Sequence, residues 1–505
     1  MVSQVLPDNL FTRFAAAADP DKPLLRFLDD PPLCYGEVFA AAARFAHVLI
    51  AHGVKPGDRV AVQAEKSAAS LILYLACLRA GAVYLPLNTG YTPAELAYFV
   101  KDAEPRLFVV AEKNLEKIQA ALPQLEFLTL GDDGRSGSLI REAKAQSGDF
   151  PDADVGMGDL ASILYTSGTT GRSKGAMLSH GNLHSNAESL RQAWEFSNAD
   201  VLLHALPIFH IHGLFVATNV SLLSGAAILL LPKFEPDAVF RAMPQSTVMM
   251  GVPTFYTRLL KDSRLGRDTT GHMRVFISGS APLLPETHRE WELRTGHALL
   301  ERYGMTETNM NTSNPYRGAR IPGSVGLPLP GVEIRIAADD GNPVPQGEIG
   351  MIEVRGPNVF QGYWRMPEKT QVEFRKDGFF ITGDLGTIGP DGYLRIVGRG
   401  KDLIITGGLN VYPREIESLL DEIPGVEESA VVGLPHEDFG EGVTAFLVLK
   451  AEAEVSEADV LNSLCGRLAR FKLPKRVVVL HQLPRNTMGK VQKSALREEY
   501  AKLYC

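Results

Sequence analysis

Eleven consecutive residues, Tyr165-Thr166-Ser167-Gly168-Thr169-Thr170-Gly171-Arg172-Ser173-Lys174-Gly175, combine five Ser or Thr hydroxyls, three glycines and two cations. Glycines let backbone N–H groups approach an anion, hydroxyls add donors, and Arg172 and Lys174 add positive charge, so the segment suits a phosphate. It is not a Walker A loop, in which Gly, Lys and Ser/Thr close the motif; here Ser173 precedes Lys174 and Gly175 follows it. A flexible surface loop is the bland alternative, and the density of donors weighs against it. Further along, single ionisable residues sit in Gly-bearing turns. Glu307 closes Tyr303-Gly304-Met305-Thr306-Glu307, Asp384 closes Thr382-Gly383-Asp384, Arg399 and Lys401 lie in Gly398-Arg399-Gly400-Lys401-Asp402, and Lys490 ends Pro484-Arg485-Asn486-Thr487-Met488-Gly489-Lys490. Alone, each reads as a surface charge or an ion-pair member. His210 and His212 form a His-x-His pair in Pro207-Ile208-Phe209-His210-Ile211-His212-Gly213. No third metal ligand follows at a suitable spacing, and His436-Glu437 lacks the second His of a zinc protease helix. An isolated His in such an apolar run is ordinarily a core residue.

Taken together, these segments resemble the adenylate-forming superfamily: acyl-CoA synthetases, aryl-CoA ligases, luciferases and nonribosomal adenylation domains. Residues 165–175 are similar to its phosphate signature and 303–307 to its adenine and magnesium motif. Residues 382–384 are similar to its ribose motif, 398–402 to its hinge and 484–490 to its C-terminal lysine motif. The five occur in family order. The resemblance implies a two-step reaction using ATP, Mg2+ and coenzyme A: a carboxylate attacks the α-phosphorus of ATP, then the coenzyme A thiol displaces AMP. It assigns the β- and γ-phosphates to Thr166, Ser167, Gly168, Thr169, Thr170, Gly171 and Lys174, the α-phosphate to Thr306 and Mg2+ to Glu307. Adenine would stack on Tyr303, with Gly279, Ser280, Ala281 and Pro282 walling its other side. Asp384, with two carboxylate oxygens, can accept both ribose hydroxyls, and Arg399 can donate to the same sugar. Lys490 would hold the attacking carboxylate and the α-phosphate in line, and His210 would gate the acyl pocket. Lys401 would be the hinge, Gly407 and Gly408 would pass the pantetheine chain, and acetylation of Lys490 by a partner acetyltransferase would remove its charge.

The acid is read from the residue before the Tyr-Gly-x-Thr-Glu motif. Many relatives carry Gly there; this chain carries Arg302. A second arginine, Arg258, lies in the segment that flanks the acyl pocket in the family, and Ser278 and Met305 complete the expected lining. Arg suits bidentate recognition of a carboxylate. Two arginines beside a shortened pocket point to a small dicarboxylate: malonate first, methylmalonate next. The bland reading pairs Arg302 or Arg258 with an internal acid such as Glu301 or Glu307. Other functional readings are a ligase for a short or aryl monocarboxylate, an adenylation domain loading a carrier protein, and a non-catalytic AMP-binding protein.

The elements that must position these residues alternate. Residues 39–51 and 67–79 have helical periodicity, and 59–63, 82–87 and 162–164 read as strands. This predicts an α/β fold with a large N-terminal domain of helix-covered, mainly parallel sheets over residues 1–400. A small mobile α+β C-terminal domain is expected over 401–505. In it, Pro413 suits the first turn of a helix and Ser456–Asp459 a cap before residues 460–468. Residues 201–232 contain no Asp, Glu, Lys or Arg, but Pro207, Gly213 and three histidines make a buried strand, turn, helix and strand the better reading than a membrane span. The 505 residues are 45% hydrophobic and 22% charged, which excludes a largely disordered chain. The net charge of −8 disfavours broad nucleic-acid binding. Cys34, Cys77, Cys465 and Cys505 are too scattered for a disulfide framework or zinc module, and residues 1–14 show no apolar signal segment. A reduced, cytoplasmic, membrane-free enzyme is the expectation.

Overall fold

The computed structural model describes residues 8–166, 173–406, 409–465, 467–468, 470–486 and 489–504. The alternating pattern becomes two mainly parallel sheets. One runs in the order Phe127–Leu130, Leu107–Ala111, Arg59–Gln63, Val83–Pro86, Leu160–Thr166, Lys174–Ser179, parallel except for the last pair. The other has nine strands. Its parallel centre is Pro23–Arg26, Ala227–Leu230, Val201–His204, Val248–Gly251, Val275–Ser278 and Leu300–Met305, with antiparallel additions at both ends. Strands covered on both faces must be apolar throughout, and Val83–Pro86, Leu107–Ala111 and Val248–Gly251 are buried at every position.

Helix Ala68–Ala80 shows how the sequence sets its limits. Ser67 caps its first turn, the Ser67 hydroxyl accepting from Ser70 N, and Gly81 ends it in the left-handed region at φ 67°. The uncharged stretch forms strand Val201–His204, a π-helical segment His212–Thr218 running into helix Asn219–Leu223, and strand Ala227–Leu230. Among the described residues no helix is long and apolar enough to cross a membrane.

The chain divides into two compact units. The first comprises Met1–Pro322, Gly326–Glu333 and Val354–Phe380; the second comprises Gly323–Val325, Ile334–Glu353 and Ile381–Cys505. The second is the smaller. It contains the hairpin Phe380–Ile388 and Leu394–Arg399, and an α+β layer built on the long antiparallel pair Val426–His436 and Gly440–Leu449. That pair alternates as a two-faced sheet should. Val431, Val443 and Ala445 pack with helix Pro413–Leu420, while Ala430, Val432 and Phe446 pack with Leu496 of helix Lys493–Glu499.

Candidate active site

An antiparallel pair of strands flanks the hydroxyl- and glycine-rich segment. Thr166 and Lys174 face one another in register at the open end of strands Leu160–Thr166 and Lys174–Ser179. Ser167, Gly168, Thr169, Thr170 and Gly171 lie outside the described residues. Lys174 is buried, its Nζ 3.0 Å from Glu373 Oε1 and 4.1 Å from the centre of the Tyr363 ring. The Tyr363 hydroxyl is 2.6 Å from Glu373 Oε2 and 3.0 Å from Glu307 Oε1, and Thr166 Oγ1 approaches the same Glu307 oxygen at 3.5 Å. Lys369 adds a second cation to Glu373 at 2.7 Å. Burial pushes the Glu373 carboxyl up, but hydrogen bonds from Lys369, Tyr363 and Lys174 prevail and hold it below the usual range. Tyr363 moves the other way, raised by burial and then by the two carboxylates. The segment carrying Tyr363 reaches this place by laying down along the second strand, with Gln361 N donating to Met177 O at 2.9 Å and Trp364 N to Gly175 O at 2.7 Å.

Glu307 follows strand Leu300–Met305 in a tight turn closed by Thr308 N donating to Met305 O at 3.2 Å. Asn309 leaves the turn at φ +51°, and its side-chain amide is tied to Asn358 O at 2.8 Å. Phe360 N donates to Glu307 O at 2.8 Å, so the turn is anchored on two sides. Glu307 and Tyr303 are buried, Thr306 is half-buried, and Met305 packs against the main apolar core.

Arg302 and Tyr303 are neighbours on one strand and therefore project to opposite faces. Arg302 is only 4% exposed, and its Nε and Nη2 have no hydrogen-bond partner. Glu301, the acid weighed as its partner, instead lies 3.3 Å from His288 Nδ1. Burial pushes the Arg302 guanidinium down to about 9, with nearby Tyr256 pulling up. It is therefore a cation at neutral pH whose Nε and Nη2 find no partner among the described residues. Gly279 lies directly against it: a Cβ on Gly279 would sit 2.4 Å from Arg302 Cζ. On either side of Gly279, the Ser278 hydroxyl is buried without a partner, and Ser280, at φ +72°, places its hydroxyl 3.1 Å from His212 Nδ1. Ala281 is half-buried and Pro282 exposed. His210 is half-buried, its Nδ1 accepting from the His212 backbone N–H at 3.3 Å. Arg258 is placed differently. It is exposed on helix Pro253–Leu260, two residues on from buried Tyr256 and so on the opposite side of the helix.

The second unit carries the remaining residues. Asp384 and Arg399 are register partners in the hairpin, with Arg399 Nε 2.7 Å from the buried Asp384 Oδ1. Lys401 is exposed in the short 3-10 turn Gly400–Asp402. Lys490 is exposed in a loop closed by Asn486, whose side chain accepts from Lys490 N and whose backbone N–H donates to Lys490 O, both at 2.9 Å. Gly407 and Gly408 lie outside the described residues.

Comparison with known proteins rests on this geometry. The AMP-binding enzyme model matches residues 12–364, and the AMP-binding enzyme C-terminal domain model matches residues 415–490. The chain belongs to the AMP-binding enzyme family. ATP-bound MatB from Rhodopseudomonas palustris is 59% identical, covers 98% of this chain and 99% of its own, and superimposes with a TM-score of 0.97. A malonate–CoA ligase of Arabidopsis thaliana is 37% identical over 88% of this chain and 78% of its own length. A feruloyl-CoA synthase of Amycolatopsis is 36% identical over 93% and 94%. The last two figures are nearly equal, so identity alone does not choose the acid; the pocket must. Sequence reasoning left out Tyr363, Glu373, Lys369 and His212. The first three lie far along the chain from the phosphate segment they join. His212 was legible as half of a His-x-His pair, but only its burial beside Ser280 separates it from His210.

Proposed function

We propose that this chain ligates malonate to coenzyme A at the expense of ATP, through a malonyl-adenylate. One carboxylate oxygen of malonate attacks the α-phosphorus, the bond to the β-phosphate bridging oxygen breaks and pyrophosphate leaves. The coenzyme A sulfur, having lost its proton, then attacks the acyl carbon and AMP leaves. The observation that carries the choice of acid is Arg302, buried and unpartnered beside the unpartnered Ser278 hydroxyl. A buried cation without an anion is unfavourable, and a second carboxylate on the substrate would complete it. A monocarboxylate would leave it as it is. The family's malonate–CoA ligase relative supports the same choice. Methylmalonate, with one added methyl, is the proposed second substrate.

Thr166, Lys174 and the loop between them are proposed to take the β- and γ-phosphates, Thr306 the α-phosphate, and Tyr303 with residues 279–282 the adenine. Asp384 and Arg399 would hold the ribose and His210 would gate the acyl side. Glu307 fits Mg2+: it is a hard oxygen donor, buried beside Thr166 and Tyr363. Among the described residues no three His, Cys, Asp or Glu side chains cluster to hold a metal. The phosphates and water would therefore supply most of the coordination, as is usual for Mg2+. When bound, the ion neutralises charge on the phosphate oxygens. Lys490 is proposed as the cation of the first half-reaction, on a mobile C-terminal domain 401–505 hinged at Lys401, with Gly407 and Gly408 serving pantetheine. Its exposure also fits it to acetylation, which would switch the first half-reaction off. A cytoplasmic setting suits the few scattered cysteines.

Pyrophosphate release and thioester formation, measured with malonate, methylmalonate, succinate, acetate and ferulate with and without coenzyme A, test the reading. Malonate should give the highest kcat/KM and a coenzyme A thioester. A higher value for acetate or ferulate overturns the dicarboxylate assignment, and pyrophosphate release without any thioester overturns the ligase.

A further inference from the structure

We propose that His212 is a substrate-binding residue that selects for a dicarboxylate, its Nε2–H donating to the distal carboxylate that Arg302 holds. The inference rests on the malonate reading of the same site.

Three consecutive residues bring the partners together. The α-carbon of Gly279 lies against the Arg302 guanidinium, the Ser278 hydroxyl on one side has no partner, and the Ser280 hydroxyl on the other is 3.1 Å from His212 Nδ1. His212 is fully buried at the start of the π-helical segment, and its Nε2 has no hydrogen-bond partner. Around Gly279, three side chains carry buried polar atoms with no partner among the described residues: Arg302 Nε and Nη2, His212 Nε2 and Ser278 Oγ. Buried polar atoms without partners are uncommon in folded proteins, and three neighbouring side chains that carry them point to a polar ligand. Guanidinium N–H groups only donate, and an ionised carboxylate only accepts through two oxygens. A carboxylate, which on the malonate reading the substrate supplies, answers Arg302 and has oxygen capacity left for an imidazole N–H and a hydroxyl.

The Ser280 hydroxyl can donate to Nδ1, and in that arrangement the imidazole hydrogen sits on Nε2, the nitrogen without a partner. The backbone there is built for this contact: Ser280 sits at φ +72°, a conformation that residues with a Cβ adopt rarely. The ring stays neutral, held far below its ordinary pKa first by burial and then by the charge of Arg302, with His210 and His204 adding to the effect. A neutral donor beside a permanent cation adds recognition without adding repulsion. His210, by contrast, uses its Nδ1 on the His212 backbone N–H. The His-x-His pair thus divides its work between a gate and a selector.

The test measures kcat and KM of wild type, His212→Ala, His212→Gln and Ser280→Ala for malonate, acetate and ATP, with thermal melting as the check on folding. The wild-type comparison comes first, and acetate preferred over malonate would overturn the malonate reading and this inference with it. Given malonate preference, His212→Ala should raise the malonate KM about 10- to 100-fold, the range of one lost hydrogen bond to a charged group. KM for ATP and kcat/KM for acetate should stay within about twofold. His212→Gln, which keeps an N–H donor, should recover part of the loss, and Ser280→Ala should weaken malonate several-fold. A malonate KM unchanged in His212→Ala, or an equal loss on malonate and acetate, overturns the inference while leaving the malonate reading intact.

Discussion

Lys174 and Arg302 are buried cations of the same unit, and the fold treats them in opposite ways. Lys174 is neutralised from within, bonded to Glu373 and resting on the face of Tyr363. Arg302 has no such partner on Nε or Nη2. On the proposed function the difference follows from what each would recognise. A phosphate chain is highly charged and reaches its loop with many other donors, so a resident carboxylate can hold the lysine in place and still yield it. An acyl selector must reject uncharged tails. An internal acid beside Arg302 would neutralise it and remove its reason to prefer a second carboxylate. On the proposed reading, the unfavourable state of the unliganded arginine is the source of discrimination.

Lys490 breaks the comparison most sharply, because it is exposed and carried by the second unit. Lys490→Ala should lower malonyl-adenylate formation by roughly 100-fold or more, as expected for loss of a cation that acts on the transition state. Thioester formation from supplied malonyl-adenylate should be nearly untouched. Equal loss in both half-reactions would remove the role assigned to it.

Arg302 gives the next effect. A charged hydrogen bond contributes about 1.5–3 kcal/mol, so Arg302→Gly should reduce kcat/KM for malonate about 10- to 200-fold. The space opened should lower the penalty against longer monocarboxylates, and KM for ATP should not move. Arg302→Lys keeps the charge but not the planar fork and should recover only part of the activity. Arg258→Ala, at an exposed position, should have the smaller effect of the two arginines. An unaltered ranking of malonate, succinate and acetate in Arg302→Gly would show that the unpaired cation does not select.

The smallest change is expected at Glu373. Glu373→Gln removes the charge that holds Lys174, so KM for ATP should fall about 2- to 5-fold, with KM for malonate constant. The same variant should melt earlier, because Lys174 keeps its burial and loses its counter-charge. A rise in KM for ATP would mean that Glu373 positions Lys174 for phosphate and does not compete with it.

Much of the fold could be read from the chain. Parallel strands covered on both faces are continuous apolar runs, and residues 59–63 match strand Arg59–Gln63 at both ends. Caps were equally legible: Ser456 accepts from Asp459 N at the start of helix Glu457–Leu464. That helix stops before residue 468 because Cys465 turns extended, while Leu468 still packs on the same apolar cluster. Apolar periodicity reports packing, and packing continued where the helix did not. The widened turn His212–Thr218 gave no local signal, since Gly213 O is held by the side chains of His204 and Thr218, both at 2.9 Å. In the site, motif residues were legible because one short turn fixes each of them. Glu373 was not, because its partner Lys174 is 199 residues away and no local pattern links them. Arg258 could be placed near the right motif, but which way a side chain leaves a helix depends on packing that the motif does not encode.

Gly279 and Arg302 also restrict the order in which such a pocket can change. With the guanidinium in place, a methyl at position 279 would lie 2.4 Å from Cζ, so alanine there would push the end of the arginine side chain aside. Once position 302 becomes glycine, that contact disappears. Descent toward a monocarboxylate enzyme thus meets less resistance through Arg302→Gly and then Gly279→Ala than in the reverse order. After the second step a returning arginine would have to take another side-chain conformation, so restoring the arginine first would not restore the original pocket.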